Sequence, residues 1–165
     1  MEKYLQITKL FDASVEEVWK MWTEPEYVMQ WWGPDKFTCP LAKINFKEGN
    51  SSLVSMKAPN EFGGQTSYSI WTYTKIVHLQ SIEFIQNLSD ENGVKQKPIT
   101  LGMPADFPED IRTVVTFKMI SKDKTEMTVT EHANFGQIEH FAKLGLEQSL
   151  EKAASIFKAQ AASGR

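Results

Sequence analysis

Apolar residues recur every second position through most of this chain, and the spacing changes to every three or four near residue 136. That change divides the sequence into a strand-rich body and a helical tail. Residues 4–11 (Tyr-Leu-Gln-Ile-Thr-Lys-Leu-Phe) are short, β-friendly and bounded by Asp12, Ala13 and Ser14, which predicts a first strand. Ser14 is then placed to cap a helix, with Glu17 three residues on completing a capping box. Val15, Val18, Trp19 and Trp22 follow at helical spacing, so a short amphipathic helix is expected over 15–22. The Thr23-Glu-Pro-Glu26 stretch starts a second helix, since Pro25 loses nothing in a first turn, where its missing N–H has no partner. Val28, Met29, Trp31 and Trp32 supply its apolar face, and Gly33-Pro34 stops it.

The next hundred residues predict antiparallel strands. Residues 41–47 and 52–57 flank a turn at Glu48-Gly-Asn-Ser51, and strands are expected over 66–77 and 81–88, joined at His78-Leu-Gln80. Residues 89–110 hold Pro98, Pro104, Pro108, Gly93 and Gly102, the longest irregular stretch, and a loop of about 20 residues inside a domain is either functional or mobile. Residues 111–120 alternate, with Ile111, Thr113, Val115, Phe117 and Met119 on one face. After a turn at Ser121-Lys-Asp-Lys124, Met127 and Val129 continue that face on the return strand. Ile138, Phe141, Ala142, Gly145, Leu146, Leu150, Ala153, Ile156 and Phe157 then form one broad stripe to about residue 160, a helix of roughly 35 Å at 1.5 Å per residue. The last residues, 162–165, are expected to fray. No βαβ crossover occurs, so the sheet is antiparallel and the class α+β. A curved sheet needs its hollow face covered, and only the final helix is long enough to cover it.

The 165 residues suit one domain, ordered over about 3–160, and need no metal or disulfide staple. A net charge of −3 with interleaved acids and bases offers no basic stripe for a phosphate backbone, so nucleic acid is not expected as a partner. No stretch approaches the roughly 20 apolar residues of a membrane span. Met1, Glu2, Lys3 and Tyr4 lead straight into the first strand without the pattern of a secretory leader. Cys39 stands alone, which fits a reducing cytoplasm and a small buried thiol.

Phe11-Asp-Ala-Ser-Val-Glu-Glu-Val-Trp19, Thr23-Glu-Pro-Glu26 and Trp31-Trp32-Gly-Pro34 together resemble the opening of a known family. Its members are related to the C-terminal domain of the activator of the ninety-kilodalton heat-shock protein's ATPase. They fall within the helix-grip superfamily of birch-pollen-allergen-like and steroidogenic-acute-regulatory-related lipid-transfer domains. The similarity continues through Tyr73, Ile76, Ile82, the turn at Asp90–Gly93 and the strand pair 111–133. The family's Asp-x-Arg-x-Gly-Gly stretch is replaced here by Asn45-Phe-Lys-Glu-Gly-Asn50, and its usual turn Pro by His78-Leu79. The resemblance implies a curved antiparallel sheet wrapped around the long C-terminal helix, with two short helices after the first strand. Members include ligand carriers, antibiotic self-resistance proteins, cyclases and co-chaperone domains, so fold alone does not choose the activity.

A helix clasped by a curved sheet tends to leave a cavity of roughly 300–1,000 Å³. Ten Phe, five Trp and four Tyr exceed what a plain core uses, and the expected walls are Tyr73, Phe84, Phe117 and Phe141, with Trp31, Trp32 and Phe37 near one rim. Glu131 continues the Met127–Val129 face and either lines that cavity, orienting a polar group of a ligand, or turns out to solvent with the strand's twist. Gly145 lies on the inner stripe of the last helix, where the absent side chain leaves room for a ligand or for a bulky neighbour. His132 and His140, each preceded by Glu, lack the spacing of a metal site. No phosphate loop, nucleophile elbow or Cys pair occurs, so neither cofactor nor catalytic set is expected. The leading expectation is a binder of an apolar or amphipathic small molecule. The alternatives are a cyclase- or hydrolase-like enzyme using Glu131 or His132 in the same cavity, and a domain that docks on a chaperone partner.

Overall fold

The structure, a computed structural model, describes residues 2–163. The frayed end expected over 162–165 falls partly outside these, at Gly164 and Arg165. Strand β1 (Leu5–Phe11) leads into helix α1 (Val15–Thr23) and helix α2 (Pro25–Trp31). The Ser14 hydroxyl accepts the Glu17 backbone N–H at 3.3 Å, satisfying one of the orphan donors of the first turn. The Glu17 carboxylate meanwhile takes the Tyr27 hydroxyl at 2.8 Å, which ties the two short helices together. Gly33, at φ +114°, turns the chain out of α2 in a conformation few other residues adopt.

Strands β2 (Ala42–Lys43), β3 (Ser51–Lys57), β4 (Thr66–Val77), β5 (Ser81–Ser89), β6 (Ile111–Ser121) and β7 (Lys124–His132) follow as a meander. Among the described residues they form one antiparallel sheet in the order β1-β7-β6-β5-β4-β3-β2. The strand expected over 41–47 shrinks to two residues, because the Asn45 N–H goes to the Ser52 hydroxyl and the Lys47 N–H folds back to the Asn45 carbonyl. The expected loop over 89–110 contains a 3-10 turn, Pro98–Leu101, and a bridge between Ser89 and Lys95. Met119, expected on the inner face, is exposed, since it lies beyond the core's edge where the β6–β7 ladder is irregular.

A 3-10 turn at Gly136–Ile138 opens helix α3 (Glu139–Ala162), whose 24 residues span about 36 Å. From Leu146 onward it buries Leu146, Ser149, Leu150, Ala153, Ala154 and Phe157, packing on α2 and β1, and Phe157 meets Phe11 edge-on at 5.6 Å. The result is an α+β helix-grip fold, a curved sheet holding one long helix, with α1 and α2 plugging part of the hollow.

Candidate functional site

The sheet's inner face is filled at one end and hollow at the other. Strand alternation points Ser52, Val54 and Met56 of β3 inward, with Tyr73, Trp71, Ser69 and Ser67 of β4 beside them. Ile82, Phe84, Gln86 and Leu88 of β5 and Ile111, Thr113, Val115 and Phe117 of β6 continue that face. Where α1 and α2 lie over it, their tryptophans occupy the space. Trp22 meets Trp31 at 4.8 Å and Trp71 at 5.8 Å, and Trp71 stacks on Phe84 at 5.1 Å. The Trp31 indole N–H donates to the Met21 carbonyl at 2.6 Å, and the Trp22 indole N–H points at the Met127 sulfur. These rings are fully buried, and burying each is worth roughly 2–3 kcal/mol.

Beyond the reach of α1 and α2 a cleft of about 390 Å³ separates the sheet from the first half of α3. Ile138, Phe141, Ala142, Gly145, Leu146 and Ser149 form its helix side. Met56, Ser67, Ser69, Gln86, Leu88, Ile111 and Glu131 form its floor on the sheet. The irregular segment before β6 supplies a third wall with Leu101, Met103 and Phe107, and Phe107 meets Phe135 edge-on at 6.1 Å. Asp106 fastens that wall to the helix by accepting the Gln137 backbone N–H at 3.3 Å. The cleft opens to solvent past Phe141, 69% exposed, and Leu101, 47% exposed.

Among the described residues Glu131 is the only titratable side chain on the lining. The ladder sets it between Leu5 of β1 and Thr113 of β6, so it faces inward as the alternation requires. Among the described residues no hydrogen bond or ion pair reaches its carboxyl group. Removal from water pushes that carboxyl up to about 7 from the ordinary 4.5, with no neighbouring charge contributing. Ser69 and Gln86 likewise present side-chain polar atoms without a protein partner among the described residues. The cleft therefore has an apolar helix side and a floor with three unengaged polar groups.

The cleft brings together Trp32, Glu131, Phe141 and Gly145 of the residues expected to line a cavity. Trp32 links core and cleft, packing edge-on against Trp71 at 5.1 Å while lining the hollow. Gly145 meets Pro34: a Cβ there would lie 3.3 Å from the Pro34 ring, so the absent side chain admits both the proline and the cleft. Trp31, Phe37, Tyr73, Phe84 and Phe117 do not line the cleft. Trp31, Tyr73, Phe84 and Phe117 are buried in solid core, Tyr73 bonded to the Ser52 hydroxyl at 2.7 Å and Phe117 against Trp19 at 5.1 Å. Burial raises the Tyr73 phenol to about 12. Phe37 lies past α2, its ring near Phe62 and its carbonyl accepting the Lys152 ammonium at 3.0 Å. Sequence reasoning missed Leu101, Met103 and Phe107, large apolar residues inside a Pro- and Gly-rich stretch without period, and Phe135, which stands between β7 and the 3-10 turn at Gly136.

His132 follows Glu131 along β7 and so points to the other face, where its Nδ1 pairs with the Glu2 carboxylate at 2.8 Å. It cannot work on the same ligand as Glu131. No cluster of three or more His, Cys, Asp or Glu able to hold a metal occurs among the described residues. No helix there is long and apolar enough to cross a membrane. Cys39 is buried and burial raises its thiol above the ordinary range. A depression of about 510 Å³ near Lys43, Leu53, Ile70 and Glu91 lies on the convex side, since Leu53 and Ile70 alternate with inward Val54 and Trp71, and its lining mixes polar and apolar groups.

A sequence model of the family described as Activator of Hsp90 ATPase homolog 1-like protein matches residues 12–158. Among curated proteins, none matches. Solved structures share the fold. A protein of Arthrobacter aurescens, solved in solution, superposes with a TM-score of 0.77 at 22% identity, over 94% of this chain and 86% of that one. A Chromobacterium violaceum protein gives 0.75 at 18% identity, over 93% and 96%. The AHSA1 protein of Silicibacter pomeroyi gives 0.74 at 14% identity, over 96% and 99%. At these identities the likeness speaks for the fold and no further.

Proposed function

The chain belongs to the activator of Hsp90 ATPase homolog 1-like family, and on that footing we propose that it acts as one domain that binds an apolar or amphipathic small molecule between α3 and the sheet. One observation carries this reading: the half-open cleft of about 390 Å³, lined mainly by Trp, Phe, Leu, Ile and Met side chains. Its size falls within the range of small-molecule sites, and a few placed polar groups on an apolar wall are what such sites use for orientation. Apolar walls left open to water forgo the roughly 25 cal/mol per Å² that burial supplies, and an apolar guest restores it. Glu131 has no base, nucleophile or orienting partner within the cleft, which favours binding over turnover. A cytoplasmic setting, where Cys39 stays reduced, belongs to the same proposal.

Native mass spectrometry of freshly purified protein, joined to titration with the neutral dye Nile red, tests it. The expected result is saturable, blue-shifted dye fluorescence at micromolar protein, displaced by decanol. Absence of any saturable signal in wild type, or an unchanged signal in a folded Ala142→Phe variant that fills the cleft, would refute the reading. The second reading, docking on a chaperone, draws on the activator in the family's name and on the exposed apolar side chains Leu101 and Phe141 at the cleft mouth. A pull-down that recovers no chaperone removes it.

A further inference from the structure

We propose that the ligand of this cleft is a lipophilic amine, its apolar body lying against α3 and the 98–107 segment and its ammonium group on the Glu131 carboxylate. This rests on the cleft reading above and adds the chemical class. The sign of the lining decides it. Among the described residues Glu131 is the one charged residue on the cleft's walls, and neither Lys nor Arg joins them. A fatty acid or other anionic amphiphile would place a second negative charge beside Glu131 with no base to hold it, whereas an ammonium supplies the partner the carboxylate lacks. Of the nearby bases, Arg112 pairs with Glu83 at 2.7 Å and His132 with Glu2 at 2.8 Å, while Lys143 lies with Glu139 and His140 beside Tyr4 and Leu5, outside the cleft.

The surroundings of Glu131 point the same way. Its strand neighbours Leu5 and Thr113 carry no charge. The segment facing it before β6 contributes Asp106, already bonded to the α3 approach, and the first turn of α3 contributes Glu139 and His140, which lie toward Tyr4 and Gln6 rather than in the cleft. Ser69 and Gln86 add a hydroxyl and an amide oxygen that can accept the remaining ammonium N–H bonds. A carboxyl group held partly protonated by desolvation gives up its proton when a cation arrives, so amine binding between pH 5 and 7 releases protons to the buffer.

Isothermal titration of the full chain at pH 7.5 with decylamine, decanol and decanoate, each below its aggregation threshold, tests the assignment. Decylamine binds at least tenfold tighter than decanol, and decanoate weakest of the three. In Glu131→Gln the amine-to-alcohol ratio falls to about one. Decanol binding with no amine advantage overturns the amine assignment and leaves the cleft reading in place. An amine advantage that survives in Glu131→Gln also overturns it, because the attraction then comes from the protein's overall negative charge. If none of the three probes binds, the cleft reading fails and this inference falls with it.

Discussion

Replacing Glu131 with Gln makes the protein more stable than wild type at pH 8 and leaves it about equal at pH 4.5. The folded carboxyl ionises near 7 and the unfolded one near 4.5, so the native state holds the proton over that interval while the unfolded state has lost it. Stability of the wild type therefore falls as pH rises from about 4.5 to 7 and levels off above, the direction required when the native state binds more protons. The full shift corresponds to about 3 kcal/mol. Glu131 keeps a little solvent contact on the cleft floor, so about 2 kcal/mol is the expected difference, or roughly 6 °C in melting temperature for a chain of this size. Asp110, lowered by its hydrogen bond from Lys95, and Glu151, lowered by Lys9, act in the opposite sense at the acid end, and the Gln variant retains both. Urea unfolding followed by tryptophan fluorescence at half-unit pH steps measures the difference between the two proteins. Parallel curves, with a gap constant to within about 0.5 kcal/mol from pH 4.5 to 8, would show that the carboxyl is solvated and the picture of Glu131 in the cleft is mistaken.

Gly145→Leu folds after Pro34 yields by a few tenths of an ångström, and it occupies the space beside Ala142; Nile red uptake falls at least tenfold while circular dichroism is unchanged. Trp31→Ala removes a fully buried ring and its hydrogen bond to Met21, costing about 3–5 kcal/mol in urea unfolding. Phe141→Ala, on an exposed position at the rim, changes stability by less than about 0.5 kcal/mol yet weakens dye binding. Ser14→Ala loses the cap of α1 and costs about 1 kcal/mol in the same assay.

The periodicities located most of the strands and all three helices, because alternation and helical spacing follow directly from which face is buried. They did not show that Asn45 and Lys47 satisfy their N–H groups outside a ladder, so the strand before β3 was overdrawn. Parity along β7 set Glu131 on the inner face but left open whether the strand's twist turns it out to solvent, which only the neighbouring strands decide. The aromatic walls were harder. Tyr73, Phe84 and Phe117 do point inward, but inwardness does not tell which end of a sheet the tryptophans of α1 and α2 will fill. That depends on helix placement over distances a local pattern does not encode. Leu101, Met103 and Phe107 come from a segment without period, where side-chain direction is set by tertiary contacts such as Asp106 with Gln137.

The unequal filling of the sheet's hollow has a bearing on how such proteins diversify. Trp22, Trp31 and Trp71 hold the chain folded from one end, while Leu88, Met103 and Ala142 shape the vacancy at the other. On the binding proposed above, a substitution at the vacant end changes which guest fits and leaves the tryptophan keystone untouched.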